Sequence, residues 1–93
     1  MARWQIVHVG GGDRLVHVNG TDATTLQWLV SQVQERDPQA KIKETRKDAD
    51  GIIYNVGLEL ARGRDAADFV PLLQRLLCDQ GWEPHIGGFK RQV

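Results

Sequence analysis

The segment IIYNVGLEL, residues 52–60, alternates between two sets of side chains. One set is Ile52, Tyr54, Val56, Leu58 and Leu60, and the other is Ile53, Asn55, Gly57 and Glu59. Because successive side chains of a strand point to opposite faces, the first set makes one face of this strand apolar. We therefore expect a half-buried, central strand whose apolar face is covered by another layer.

A similar alternation occurs near the N-terminus, in RWQIVHV (residues 3–9) and RLVHVN (residues 14–19), with GGGD between them. This pattern is typical of two antiparallel strands joined by a four-residue loop. A second hairpin is predicted from AKIKETRKD, a turn at ADG, and the alternating strand described above. The outgoing strand of this second hairpin has only Ile42 as a strong apolar residue, which favours an edge strand that projects into water.

With Gly10–Asp13 as the loop of the first hairpin, His8 pairs with Leu15 and His17 pairs with Ile6. The valines of both strands then share the opposite face. Because branched apolar side chains pack well and leave no polar atom to satisfy, we expect the valine face to lie against the helices.

The first helix is predicted from a cap at Thr21 or Asp22 to about Arg36, because apolar residues recur there at helical spacing and Pro38 follows. The second helix is predicted over residues 68–80. An N-cap at Asp68 places Pro71 in the first turn, where its missing N–H costs nothing, and Gly81 is a natural residue to follow the helix end.

The predicted element order is ββαββαβ, with WEPHI as a short last strand that Pro84 confines to an edge. We expect an α+β two-layer sandwich, in which a mostly antiparallel sheet carries both helices on one face, as a ferredoxin-like variant. Residues 1–86 form the predicted single domain, and residues 87–93, GGFKRQV, form a basic C-terminal tail.

The chain has 93 residues, with twelve Lys and Arg balanced by twelve Asp and Glu. No net charge therefore attracts it to nucleic acid or to an anionic membrane. The single cysteine, Cys78, cannot form an internal disulfide, and no apolar stretch reaches the roughly 20 residues of a membrane span. A cytoplasmic location without membrane attachment is expected.

No catalytic constellation is apparent, and we expect neither a bound metal nor a cofactor. The GGGD loop joins two strands, whereas phosphate-binding glycine loops lead into a helix. His8, His17 and His85 lack the spacing of zinc ligands. An enzyme is therefore the less favoured class, although the sequence does not decide the question.

A candidate interaction surface lies on the side of the first hairpin away from the valines. Its predicted members are Trp4, Ile6, His8, Leu15 and His17, a set that is too apolar for a solvated sheet face and too polar for a core. Trp28 lies opposite the apolar stripe of the first helix. It is either covered by the C-terminal tail or a binding anchor.

Local basic clusters provide an alternative surface that could contact phosphates. Its predicted members are Lys41, Lys43, Arg46, Lys47, Lys90 and Arg91. Lysines on an edge strand also deter unwanted strand pairing, and this explanation is preferred for the second hairpin because acidic residues interrupt the cluster.

The element order, the glycine turn of the first hairpin, the second hairpin ending in IIYNVGLEL and the last strand running into HIGGF are together similar to the eukaryotic translation initiation factor one family. That family binds the small ribosomal subunit. The likeness spans most of the chain but concerns its layout, and GGGD stands where the family has a basic loop. It implies ribosome or RNA binding as an alternative function, with no residue carried over.

The leading hypothesis is a non-catalytic interaction or regulatory module that associates through the outer face of its sheet, most simply as a homodimer or with another protein. The alternative is a small RNA- or ribosome-associated protein. A minor alternative is a domain that senses a small molecule.

Overall fold

The computed structural model describes residues 3–93, which form six strands and two helices in one sheet-and-helix sandwich. The strands are β1 (Trp4–Gly12), β2 (Leu15–Gly20), β3 (Lys41–Lys47), β4 (Ile53–Glu59), β5 (Glu83–His85) and β6 (Gly88–Gln92). The helices are α1 (Ala23–Arg36) and α2 (Ala66–Asp79). All neighbouring strands are antiparallel, in the order β3-β4-β2-β1-β6-β5. The α+β two-layer prediction is confirmed, with one strand more than expected; residues 1 and 2 of the predicted domain lie outside the described residues.

The core lies between the helices and the face of the sheet that carries the valines. Val7, Val16 and Val18 are fully buried there, as predicted. The helices contribute the leucines at positions 26, 29, 73 and 77, which are also fully buried. Burying one such side chain contributes about 1.5–3 kcal/mol. On β4, Val56 and Leu58 are buried as expected.

The far end of the β3–β4 hairpin extends past the helices. Tyr54 and Ile52 belong to the apolar set of β4, yet they are 40% and 50% exposed. Ile42 pairs with Leu58 and therefore faces the same side of the sheet, but it is 51% exposed. The helix layer is thus narrower than the sheet, and β3 is an uncovered edge, as the sequence predicted.

The predicted register of the first hairpin is wrong by four residues. His8 pairs with Asn19, His17 with Gly10, and Leu15 with Gly12, so the loop is Asp13–Arg14 and β1 continues through the three glycines. Gly11 has a φ of 151°, and a Cβ there would overlap the carbonyl oxygen of Leu15. Only glycine allows the two strands to approach so closely at this point.

Long-range hydrogen bonds fix this short turn. The Ala66 N–H donates to the Asp13 carbonyl oxygen at 2.6 Å, and the Leu60 N–H donates to the Arg14 carbonyl oxygen at 2.7 Å. These donors lie some 50 residues further along the chain. Because the shift is an even number of residues, it changes every pair of the hairpin but leaves each side chain on its predicted face.

The predicted basic tail contains a strand. Residues 88–92 form β6, which pairs with β1 on one side and with β5 on the other. Phe89 of this strand is buried in the core. The strand was missed because its next inward residue is Arg91, whose charge breaks the expected apolar alternation. The last predicted strand, WEPHI, is shorter than expected: β5 spans only Glu83–His85, at the sheet edge.

Helix α2 begins earlier than predicted. Its N-cap is Asp65, whose side chain accepts a hydrogen bond from the Ala67 N–H at 2.9 Å, so Pro71 lies inside the helix and not in its first turn. The helix ends as predicted before Gly81, which has a φ of 89°. The Trp82 N–H then donates to the Leu77 carbonyl oxygen at 3.0 Å, in the arrangement known as a Schellman motif.

In residues 3–93, neither helix combines the length and the apolar composition needed to cross a membrane.

Candidate functional site

Both helices pack on the valine side of the sheet, so the opposite side is free of any covering element of residues 3–93. We call this side the open face. Its five predicted members are the side chains of Trp4, Ile6 and His8 on β1 and of Leu15 and His17 on β2. Trp4 is 48% exposed and Leu15 is 41% exposed, while the other three are half-buried.

The corrected register spreads these five residues along the face. Leu15 pairs with Gly12, whereas Trp4 lies at the other end of β1. Eight residues of strand separate these two positions, which is about 26 Å at ~3.3 Å per residue. Trp4, Ile6 and His8 form one end of the open face and Leu15 forms the other, with His17 between them.

Strand β6 completes the Trp4 end of the open face. Lys90 pairs with Ile6 in the sheet, and its Nζ lies 4.4 Å from the centre of the Trp4 ring, within the range of a cation–π contact. A cavity of about 190 Å³ is lined by Trp4, Ile6, Lys90 and His85 of β5. This grouping was not predicted, because β6 was expected to be a tail.

Each histidine of the open face lies against a glycine of a neighbouring strand. A Cβ on Gly57 would lie 3.1 Å from Cε1 of His17, and a Cβ on Gly88 would overlap the His8 ring. His8 also donates a hydrogen bond from Nδ1 to the Gly87 carbonyl oxygen. Because these two glycines have no side chain, each imidazole can lie close to the backbone of the neighbouring strand.

No group of three His, Cys, Asp or Glu side chains that could hold a metal ion occurs among residues 3–93. Cys78 is exposed on α2.

The six basic residues predicted as a phosphate surface do not come together. Lys41, Lys43, Arg46 and Lys47 lie on edge strand β3, whereas Lys90 and Arg91 lie on β6, four strand spacings or about 19 Å away. Lys90 and Arg91 also point to opposite faces of the sheet, because they are consecutive residues of a strand.

Several of these cations already have an acidic neighbour. Lys43 lies 3.6 Å from Glu59, and Arg46 donates from Nε to Glu44 Oε1 at 2.6 Å. The hydrogen bond and the charge of Glu44 raise the pKa of Arg46 above its usual value. Local pairing of this kind reduces the positive charge that could attract a phosphate chain, although Lys41 and Lys47 form no ion pair within residues 3–93.

Trp28 lies away from the open face, on the helix side of the molecule. It is half-buried and packs partly against the core. It also lines a cavity of about 280 Å³ between the start of α1, the end of α2 and β6. The cavity residues are Thr24, Thr25, Trp28, Gln80, Trp82 and Arg91. The segment expected to be a tail thus contributes Arg91, from a strand, to the same cavity as Trp28.

A further cavity, of about 490 Å³, opens at the end of the sheet where the first hairpin turns. Arg14 lines it together with Lys41, Glu59 and Arg62. The Arg14 guanidinium is engaged, because it donates to the Leu60 carbonyl oxygen at 2.9 Å and lies 3.8 Å from Glu59.

Comparison of the chain with protein-family models, with curated proteins and with solved structures finds no match.

Proposed function

We propose that this protein is a non-catalytic interaction module that self-associates through the open face, most simply as a homodimer. The observation that carries the proposal is that a sheet face without covering elements presents Trp4 and Leu15, each more than 40% exposed. Exposed tryptophan is a frequent anchor of protein interfaces, and exposed apolar side chains that share one face mark an interaction surface. Because Trp4 and Leu15 lie at opposite ends of the face, two copies related by a twofold axis can bring each anchor to the other copy's complementary end.

The two sheet edges favour association by the face over association by strand pairing. Strand β3 carries four basic residues and has register irregularities at Ile42/Glu44 and at Arg46/Lys47. Strand β5, at the other edge, has only three residues, of which Pro84 is one. Charged side chains, bulges, short length and proline all oppose the addition of another strand.

The size and charge of the molecule are compatible with a second copy as the partner. Its extents are 46 × 29 × 21 Å. A molecule of these dimensions can present the roughly 800 Å² per partner that a standard interface buries. The balance of twelve acidic and twelve basic residues leaves no net repulsion between copies.

A sedimentation experiment tests this proposal with a matched pair of variants. Trp4→Ser removes an anchor from the open face, and Ile42→Ser removes a similarly exposed apolar side chain from the other side of the sheet. We expect wild-type protein to show a concentration-dependent monomer–dimer equilibrium, which Trp4→Ser weakens by about tenfold or more and Ile42→Ser leaves unchanged. A strict monomer at high concentration, or an equal effect of both variants, would contradict the proposal.

Capture of partners from lysate by this protein, with and without nuclease, distinguishes association with RNA from association with a different protein. Nuclease-sensitive capture would indicate the RNA- or ribosome-associated alternative in place of self-association. The proposed compartment is the cytoplasm, as expected from the lone Cys78.

Within the α+β two-layer class, we propose that the fold is a ferredoxin-like variant. Its support is the unit β2-α1-β3-β4, in which β4 lies between the parallel strands β2 and β3. One strand inserted between the two parallel strands of a βαβ unit is the split arrangement of ferredoxin-like folds. Strands β1, β6 and β5 extend this unit on the other side of β2.

A further inference from the structure

The cavity beside Trp28, which we call the two-tryptophan cavity, has the features of a small ligand site. Its indoles belong to Trp28, which is half-buried, and to Trp82, which is 3% exposed. Around them stand the polar groups of Thr24, Gln80 and Arg91. Two aromatic side chains among convergent polar groups in a concave surface are a common arrangement in small-molecule sites.

Arg91 is held rigidly at this cavity by three neighbours. Its Nε donates to Gln5 Oε1 at 2.9 Å, its Nη2 donates to Asp22 Oδ2 at 2.8 Å, and its guanidinium lies 4.5 Å from the centre of the Trp82 ring. These two hydrogen bonds use two of the five N–H donors of a guanidinium. The side chain is 39% exposed, and three of its N–H donors take no part in these two hydrogen bonds. A donor group fixed in this way loses little conformational entropy when a ligand binds.

The charge balance of the cavity favours a neutral ligand. Asp22 is buried, caps the start of α1 by accepting from the Thr25 N–H at 3.4 Å, and pairs with Arg91. The protein thus supplies its own anion both to the guanidinium and to the helix N-terminus. A negatively charged ligand would have to compete with this carboxylate, whereas a neutral hydrogen-bond acceptor needs only the free donors of Arg91.

From these observations we infer that the two-tryptophan cavity binds a neutral, planar heteroaromatic ring that lies against Trp28 and accepts hydrogen bonds from Arg91. Planar rings stack well on indole, and ring nitrogens or carbonyl oxygens match the planar donor edge of a guanidinium. A volume of about 280 Å³ is sufficient for one such ring. The Gln80 amide and the Thr24 hydroxyl can both donate and accept, and they can therefore read further polar groups on the ring edge.

This site is independent of the proposed self-association. Trp28 and Arg91 lie on the helix side of the sheet, whereas Trp4 lies on the open face. Each function can thus fail without the other. The three tryptophans of the chain also give three separate indole N–H signals in an amide NMR spectrum, one of which reports on the open face.

Titration with adenine, followed by ¹H–¹⁵N NMR, tests the inference. We expect saturable shifts of the Trp28 and Trp82 indole signals, with half-saturation on the order of 1 mM or below for so small a ligand, and no shift of the Trp4 signal. Benzoate, an anion of similar size, is expected to bind at least about tenfold more weakly, because the Arg91 guanidinium is already paired with the Asp22 carboxylate. Adenine shifts confined to Trp4, no saturable shift of Trp28, or tighter binding of benzoate would overturn the inference.

Variants assign the binding to named side chains. Trp28→Ala removes the stacking surface and is expected to weaken adenine binding by about tenfold or more. Arg91→Lys keeps a cation for Asp22 but loses the planar donor edge, and it is expected to weaken binding while the spectrum stays that of a folded protein. Trp4→Ser serves as the control that alters self-association only. Unchanged adenine affinity in folded Trp28→Ala protein would contradict the assignment.

Discussion

Glycines determine where the two histidines of the open face can lie. His17 rests against Gly57 of β4, and His8 rests against Gly88 of β6. The two glycines differ in what else surrounds them. A Cβ on Gly57 would meet mainly the His17 ring, whereas a Cβ on Gly88 would also lie 2.6 Å from the backbone carbonyl oxygen of Val7. A side chain can move away but a paired strand cannot, so the two positions are expected to respond differently to the same substitution.

A double-mutant cycle measures this difference. Gly57→Ala is expected to be destabilising by about 0.5–1 kcal/mol in wild-type protein, because the methyl displaces the imidazole, and to be neutral or stabilising when His17→Ala is present. The coupling free energy, measured by urea unfolding, is thus about 1 kcal/mol.

The matched control is Gly88→Ala with and without His8→Ala. This substitution is expected to be destabilising in both backgrounds, because the Val7 carbonyl oxygen remains in place. If His17→Ala failed to relieve the Gly57→Ala penalty, the strand backbone and not the imidazole would be what excludes the methyl group.

At the level of the elements, sequence periodicity predicted which face of a strand is buried, but it did not predict which residues pair between strands. Val7, Val16 and Val18 are buried as predicted and Val9 is half-buried against the core, because a period of two depends only on the local chain. The register depends on the turn, and this turn is held by the N–H groups of Leu60 and Ala66, which no local pattern reveals. In the observed register, Trp4 and Leu15 remain on the same face but lie at its opposite ends.

Strand β6 shows a second limit of sequence patterns. Its inward side chains are Phe89, which is buried, and Arg91, which pairs with the buried carboxylate of Asp22. An inward arginine reads as a solvent-exposed residue until its partner is known, and Asp22 lies 69 residues away. The two-tryptophan cavity was unpredictable for the same reason, since three distant segments meet there.

Helix α2 contains an avoidable defect at Pro71. Proline at this depth removes the hydrogen bond to the carbonyl oxygen four residues earlier, at Ala67. Pro71 is exposed, so its replacement disturbs no packing. We expect Pro71→Ala to stabilise the protein by about 1–2 kcal/mol, which is the restored helix bond less the greater freedom of the unfolded chain.

The free energies of unfolding in urea of Pro71→Ala and Ala67→Pro show whether the effect of proline depends on its position in the helix. Ala67 is the second residue of the helix, where a missing N–H removes only the capping hydrogen bond that it donates to Asp65 Oδ1. Its substitution is expected to cost about 1 kcal/mol. A destabilised Pro71→Ala variant would mean that the proline is required for the helix to follow the sheet.

On the scale of the whole molecule, positive charge is dispersed and partly compensated by ion pairs. Among the six basic residues considered for phosphate contact, Lys43, Arg46 and Arg91 form ion pairs and Lys90 lies on an indole ring. Within residues 3–93, Lys41 and Lys47 take part in none of the ion pairs. A molecule arranged in this way is suited to meeting a neutral surface, including a second copy of itself.

The salt dependence of RNA binding measures how many of these cations contact phosphates. Each cation that neutralises a phosphate of single-stranded RNA contributes about −0.7 to the slope of log K against log salt concentration. Three of the six basic residues, Lys41, Lys47 and Lys90, form no ion pair within residues 3–93. We therefore expect a slope no steeper than about −2.1 in filter binding, and weak retention even at low salt. Self-association buries mainly apolar surface, so its dimer constant is expected to change little over the same salt range. A slope near −4 would show that all six basic residues engage phosphates at once, which requires the ion pairs to open and favours the RNA-associated alternative over the homodimer.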